Sequence, residues 1–279
     1  MILPGIGPAW LFEVDNLTGT PPAIGTAAGT AFTSGGSNVD GTAVTVLAAL
    51  AQDVQRLVLA IGTDGTAGED NSVLANLLFD PAGGTSWTTI AQLIAGTAVI
   101  SPNGLATHVY DFPLFIKAGT AIGMSARKNG ATGIVGGCAA YAFGQPRRPE
   151  MWWCGQGLET LGINAASSKG TAHTPGATGV FSSFASLGAS TRRYGAVALG
   201  VQGDGTALNG RTYYYEIGVG GAKVPGTPTL FVATDTNERG LRTGPGAIQT
   251  DIAAGTTIQI RATCSGTANN HNAALVGVF

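Results

Sequence analysis

The sequence predicts an all-β protein: two duplicated antiparallel β-sandwiches in tandem. Three observations carry that prediction. Short apolar runs recur at strand-plus-turn spacing, separated by Gly, Asn, Asp, Pro and Ser. No segment holds a helical period over three turns. And the second half says again, in order, much of what the first half says.

The repeat organises the elements. The lead-in Pro8-Ala9-Trp10-Leu11-Phe12 is matched by Met151-Trp152-Trp153-Cys154, and the tryptophans read as packing plugs. Gly29-Thr30-Ala31-Phe32-Thr33 is matched by Gly170-Thr171-Ala172-His173-Thr174. The apolar runs 43–50 and 56–61 come next, and Asp64-Gly65-Thr66-Ala67 closes the second of them. Its partner Asp204-Gly205-Thr206-Ala207 closes the run 196–201. Further strands are predicted over 109–116, 121–126 and 134–143, then over 211–217, 229–233, 257–262 and 273–279. The segments 48–57 and 70–78 are read instead as short helical candidates.

Ile116, Ile122, Met124 and Ala126 coincide with Ile252, Ile258, Ile260 and Ala262, and Gly130 and Gly266 close both segments. In Thr257-Ile258-Gln259-Ile260-Arg261 apolar and polar side chains alternate, so Ile258 and Ile260, with Ile122 and Met124, are expected in the core. The join falls where Pro146 and Pro149 bracket Arg147-Arg148, giving domains 1–146 and 147–279. Pattern alone leaves jelly-roll and immunoglobulin-like strand orders both open.

Composition narrows the partners. The chain has 279 residues, a net charge of −2, only 11% charged residues and 44 glycines. A phosphate-tracking surface needs clustered Lys and Arg, and the doublets Arg147-Arg148 and Arg192-Arg193 make no patch, so no nucleic acid is expected. Apolar runs stay well short of a membrane span, and Met1–Pro8 lacks the pattern of a secretory leader, so no membrane partner is expected. So few charges leave a largely neutral surface, suited to being covered by partners. Cys138, Cys154 and Cys264 have no metal spacing and no matched positions: Cys264 falls on Lys128, and Cys138 on Ala274. They read as three separate thiols, with inter-chain disulfides as the alternative.

Chemistry-bearing motifs are sparse. His108, His173 and His271 have no ligand partner at metal spacing, and His173 falls on Phe32 of the first copy. A Gly-x-Ser-x-Gly nucleophile turn is missing from the sequence. The best metal candidate is a calcium loop of Asp64, Glu69 and Asp70, but the second copy keeps only the Asp-Gly pair, a tight-turn signal. The reading is therefore a turn, with no metal, no cofactor and no catalytic residue. Alternation in Tyr213-Tyr214-Tyr215 places the outer two on one face and Tyr214 on the other.

A tandem β-sandwich with low charge and much Gly, Ala and Thr resembles the structural proteins of tailed-bacteriophage virions, of the capsid-decoration, collar or neck, and tail-associated kinds. That resemblance implies a virion location, many copies of the chain contacting each other and other virion proteins, and no enzyme activity. The alternative is a carbohydrate- or receptor-binding module of a phage fibre or adhesin. A glycan-active enzyme would need paired carboxylates, and the copies share only Asp64 and Asp204.

Overall fold

The computed structural model describes residues 11–14, 29–36, 38–63, 73–95, 107–128, 133–144, 154–164, 169–203, 211–225, 227, 230–233, 247–266 and 270–279. Among them there is no helix, and twenty strands form four antiparallel sheets. The first sandwich holds β1 (Leu11–Val14), β2 (Thr30–Thr33), β3 (Val44–Leu47), β4 (Val54–Thr63), β5 (Val73–Asp80), β6 (Thr88–Ala95), β7 (Thr107–Phe112), β8 (Ala121–Arg127) and β9 (Val135–Gly144). The second holds β10 (Leu158–Leu161), β11 (Ile163–Asn164), β12 (Lys169–His173), β13 (Ala185–Ala189), β14 (Tyr194–Gly203), β15 (Thr212–Val219), β16 (Ala222–Lys223), β17 (Leu230–Ala233), β18 (Ile248–Ile252), β19 (Thr257–Cys264) and β20 (His271–Val278).

Strand order resolves the topology. In the first sandwich β1 and β2 both border β9, followed by β4 and β7, and the facing sheet runs β3-β8-β5-β6. In the second, β10 and β12 border β20, followed by β14 and β18, and the facing sheet runs β13-β19-β15 with β16 and β17 beyond. After the opening strands (β1–β2 and β10–β12), successive strands cross between the sheets except at the hairpin β5–β6 and its counterpart β15–β17. That is the jelly-roll order, and the immunoglobulin-like alternative falls.

Register agrees in detail. β3 meets β8 with a bulge between Thr45 and Leu47, and β13 meets β19 with one between Ser186 and Gly188. Gly35 bridges to Arg127 in parallel, and Gly176 to Thr263. One sequence alignment shifts: Cys138 stands opposite Ile61 and Ala273 opposite Val201, so Cys138 corresponds to Ala273 and not to Ala274.

Ile122, Met124, Ile258 and Ile260 are fully buried. Along β19 burial alternates from Thr257 to Ala262 as the sequence implies. Two helical expectations are corrected. Residues 48–57 form a turn leading into β4: Leu50 exchanges backbone hydrogen bonds with Thr120 and Gly119, and Val54 with Ile116. Of residues 70–78, those from Val73 on lie in β5, which is buried on both faces, and residues 70–72 lie outside the described residues. The division at 146/147, Trp10, Trp152 and Trp153 lie outside the described residues.

The sandwiches are packed together. Ala196, Ala198, Val276 and Val278 of the second belong to the same apolar cluster as the core of the first. Leu74 and Ile94 pack on Ala274. The Tyr110 hydroxyl donates to the carbonyl of Ile94 at 2.6 Å. It points at Gly200, where a Cβ would lie 2.5 Å from that oxygen, so only glycine permits the approach. The β5–β6 turn is fixed by Asp80, whose carboxylate accepts from the backbone N–H groups of Ala82, Gly84, Thr85 and Ser86. Those bonds, led by Ser86, hold its pKa down at about 2.

Candidate functional site

Among the described residues, two places in the second sandwich are the strongest candidates for a site. The first is a buried cluster shared by β12, β15 and β20. β12 runs antiparallel to β20 and sets His173 directly opposite His271. β15 brings Tyr213 and Tyr215 beside them: the Tyr213 ring meets His271 edge-on at 4.3 Å between centroids, and the Tyr215 hydroxyl is hydrogen-bonded to His271 Nδ1. Ser182 Oγ lies 3.4 Å from His173 Nε2. Nε2 of His271 is buried without a hydrogen bond.

Burial decides the protonation of this cluster. Desolvation pushes His173 down to about 4 and His271 down to about 3, the latter helped by the neighbouring His173. Desolvation also drives Tyr215 well above its ordinary value, with Tyr213 and Cys264 adding to the rise. Both imidazoles are buried and their lowered values favour the neutral form at pH 7, so the cluster links folding to protons.

Sequence reading treated the three histidines separately and missed this pairing. The signal was the repeat itself: His173 and His271 stand where the first copy has Phe32 opposite Gly136. There a Cβ on Gly136 would lie 2.3 Å from the Phe32 ring, so one large ring fills the space that two smaller ones share.

The second place is a surface groove of about 490 Å³ over the bulge where β14 meets β18. Arg193, Tyr194, Gln249, Asp251 and Phe279 are among its walls. Arg193 donates to both oxygens of Asp251, at 2.7 and 2.6 Å, with side chains 72% and 67% exposed. Tyr194 donates to Glu159 at 2.5 Å, and the Arg192 guanidinium lies 5.6 Å from the Phe279 ring centre.

The other sequence candidates are scattered. Asp64, Glu69 and Asp70 lie outside the described residues. Among the described residues no three His, Cys, Asp or Glu side chains gather as metal ligands, and no helix is long and apolar enough to cross a membrane. All three cysteines are free thiols: Cys138 and Cys264 buried, Cys154 half-buried. Tyr213 and Tyr215 are buried, and Tyr214 is 41% exposed.

No protein-family model and no curated protein matches the chain. Solved structures do match, distantly. PNGF-II is 8% identical with a TM-score of 0.35, over 96% of this chain and 65% of that one, so the chain spans just under two thirds of its length. PNGase F, a glycosylasparaginase from Flavobacterium meningosepticum, is 11% identical with a TM-score of 0.35, over 96% of this chain and 94% of that one. Broad Bean Stain Virus is 12% identical with a TM-score of 0.33, over 96% and 92%. The expectation that the chain is not an enzyme is corrected here: the structures it is similar to include a glycosylasparaginase beside virus particles.

Proposed function

We propose that the chain is a structural component of a bacteriophage virion, of the decoration, collar or tail-associated kind. Its two repeated domains, 1–146 and 147–279, act through contacts with copies of the chain and with other virion proteins. Neither nucleic acid nor membrane is a partner in this reading. The observation that carries it is the outer face of the sheet around β4 and β9. Val58, Ala60, Val109 and Tyr141 remain partly exposed there, with Val109 at 42%. Beside them on that face Arg56 is paired with Asp111, so its charges are balanced, and a face of apolar side chains around one internal ion pair is suited to protein contact. The test is negative-stain microscopy of the purified chain and of particles that display it. Symmetric oligomers or particle-bound density support the reading, and a monomer that never joins a particle contradicts it.

The groove favours a second reading, a carbohydrate- or receptor-binding module of a fibre or adhesin. A bidentate Arg193–Asp251 pair in a groove that Phe279 also lines offers donors, acceptors and an apolar surface to a sugar. A glycan array reports on it directly.

A further inference from the structure

The interface between the two sandwiches recurs in the chain as two unused halves. β4 and β14 are both ten-residue strands ending one residue before Asp64-Gly65 and Asp204-Gly205, so Val58 corresponds to Ala198 and Ala60 to Gly200. In the second sandwich this face is closed: Ala198 is 5% exposed and its cross-strand partner Val276 is 2% exposed, both under the first sandwich. In the first sandwich the same face is open. One row across the sheet is Val109–Ala60–Ala139 and the next is Asp111–Val58–Tyr141.

The covering surface has its own counterpart. It is the β5–β6 side of the first sandwich, with Leu74 opposite Ile94, 0% and 1% exposed. Leu77 faces Met124 and Ile217 faces Ile260, so Leu74 corresponds to Tyr214, which stands opposite Phe231. Tyr214 is 41% exposed. Among the described residues, the second sandwich thus exposes Tyr214 at its counterpart of the covering surface, and the first sandwich exposes a receiving face at Val58 and Val109.

We infer that a second copy of this chain docks by the Tyr214 side of its second sandwich onto the Val58–Val109 face of the first. The occupant is fixed by the chain's own interior interface, in which the equivalent surfaces already meet. The contact is heterologous, so it propagates head to tail and closes a ring or runs on as a filament according to its angle. It differs from the interior contact at these facing positions: Val58 stands for Ala198, Ala60 for Gly200, Tyr141 for Val276 and Tyr214 for Leu74, each the larger of its pair, so the copies sit further apart than the tandem sandwiches do. The inference rests on the assembly reading above and adds the surfaces to it.

Sedimentation velocity of the full chain tests it with two surface variants, Val109→Asp and Tyr214→Asp. A carboxylate forced into an apolar contact should weaken association by about a hundredfold in either variant alone. Their mixture is the decisive arm. Val109→Asp keeps an intact covering surface and Tyr214→Asp an intact receiving face, so the two together should form a one-to-one dimer and stop. Circular dichroism of each variant checks that it is folded; if one is not, Ala60→Gln replaces Val109→Asp and Tyr214→Lys replaces Tyr214→Asp. Wild-type association that both variants retain overturns this contact and leaves the assembly reading standing. A wild-type chain that stays monomeric at every concentration overturns both. Variants that fail alone and do not complement overturn the head-to-tail geometry.

Discussion

Acidification should unlatch the second sandwich through His173 and His271. Both imidazoles have folded-state values below the ordinary 6.5, at about 4 and about 3. Above pH 6.5 they are neutral whether the chain is folded or not, and their contribution to stability is fully present. Below it the unfolded chain takes up protons that the folded chain refuses. Stability then falls as pH drops, at about 1.4 kcal/mol per pH unit for each histidine. From pH 7 to pH 5 the pair removes about 4 kcal/mol. That is a large part of the roughly 5–15 kcal/mol that holds a domain folded. The window stays above the carboxylate range, so groups such as Asp80 and Asp251, whose values are lowered, remain charged throughout.

The assay is urea unfolding at pH 7, 6 and 5, comparing the wild type with His173→Phe/His271→Gly, which copies the Phe32/Gly136 arrangement of the first sandwich. The double variant starts less stable, because Tyr215 loses its hydrogen-bond partner, but its stability should change little between pH 7 and 5. The reasoning is refuted if the wild type is equally stable across that range, or if the double variant keeps the full slope.

Three further outcomes are expected. Ile260→Ala should cost about 2–5 kcal/mol in denaturant unfolding, since the side chain is fully buried at the centre of β19 and leaves a cavity. Gly200→Val should cost about 1–3 kcal/mol by driving a side chain into the Tyr110 hydroxyl, with Tyr fluorescence reporting the loosened contact between sandwiches. In thiol alkylation of the native chain, half-buried Cys154 should react first. Cys138, its thiol pushed up to about 12 by burial, and buried Cys264 should react only after unfolding.

The parts of the fold that could be read from the sequence are those with one face dry and one wet. β19 alternates, so its register and its buried isoleucines followed from the pattern. β5 does not alternate, because Leu74 on its outer face packs against the second sandwich while Leu77 faces the core. Buried on both sides, Val73–Asp80 carries no period of two, which is why the pattern over 70–78 suggests a short helix. β20 is buried at all eight positions for the same reason. Residues 48–57 space Leu50, Val54 and Leu57 like a helix, yet these side chains line a turn and the strand it feeds. Strand order depends on which runs pair, which composition does not encode. The histidine cluster was hidden because its members are far apart in sequence. It is visible only once β12 is laid antiparallel on β20.

The central claim is that copies of the chain assemble through the exposed counterparts of the faces that meet between the tandem sandwiches. Single-particle electron microscopy of the wild-type chain at high concentration tests it most directly. The account predicts sandwiches in an even head-to-tail series, each Val58–Val109 face covered by the Tyr214 side of the next copy. Isolated two-sandwich particles, or two-fold dimers joined through any other surface, would contradict it.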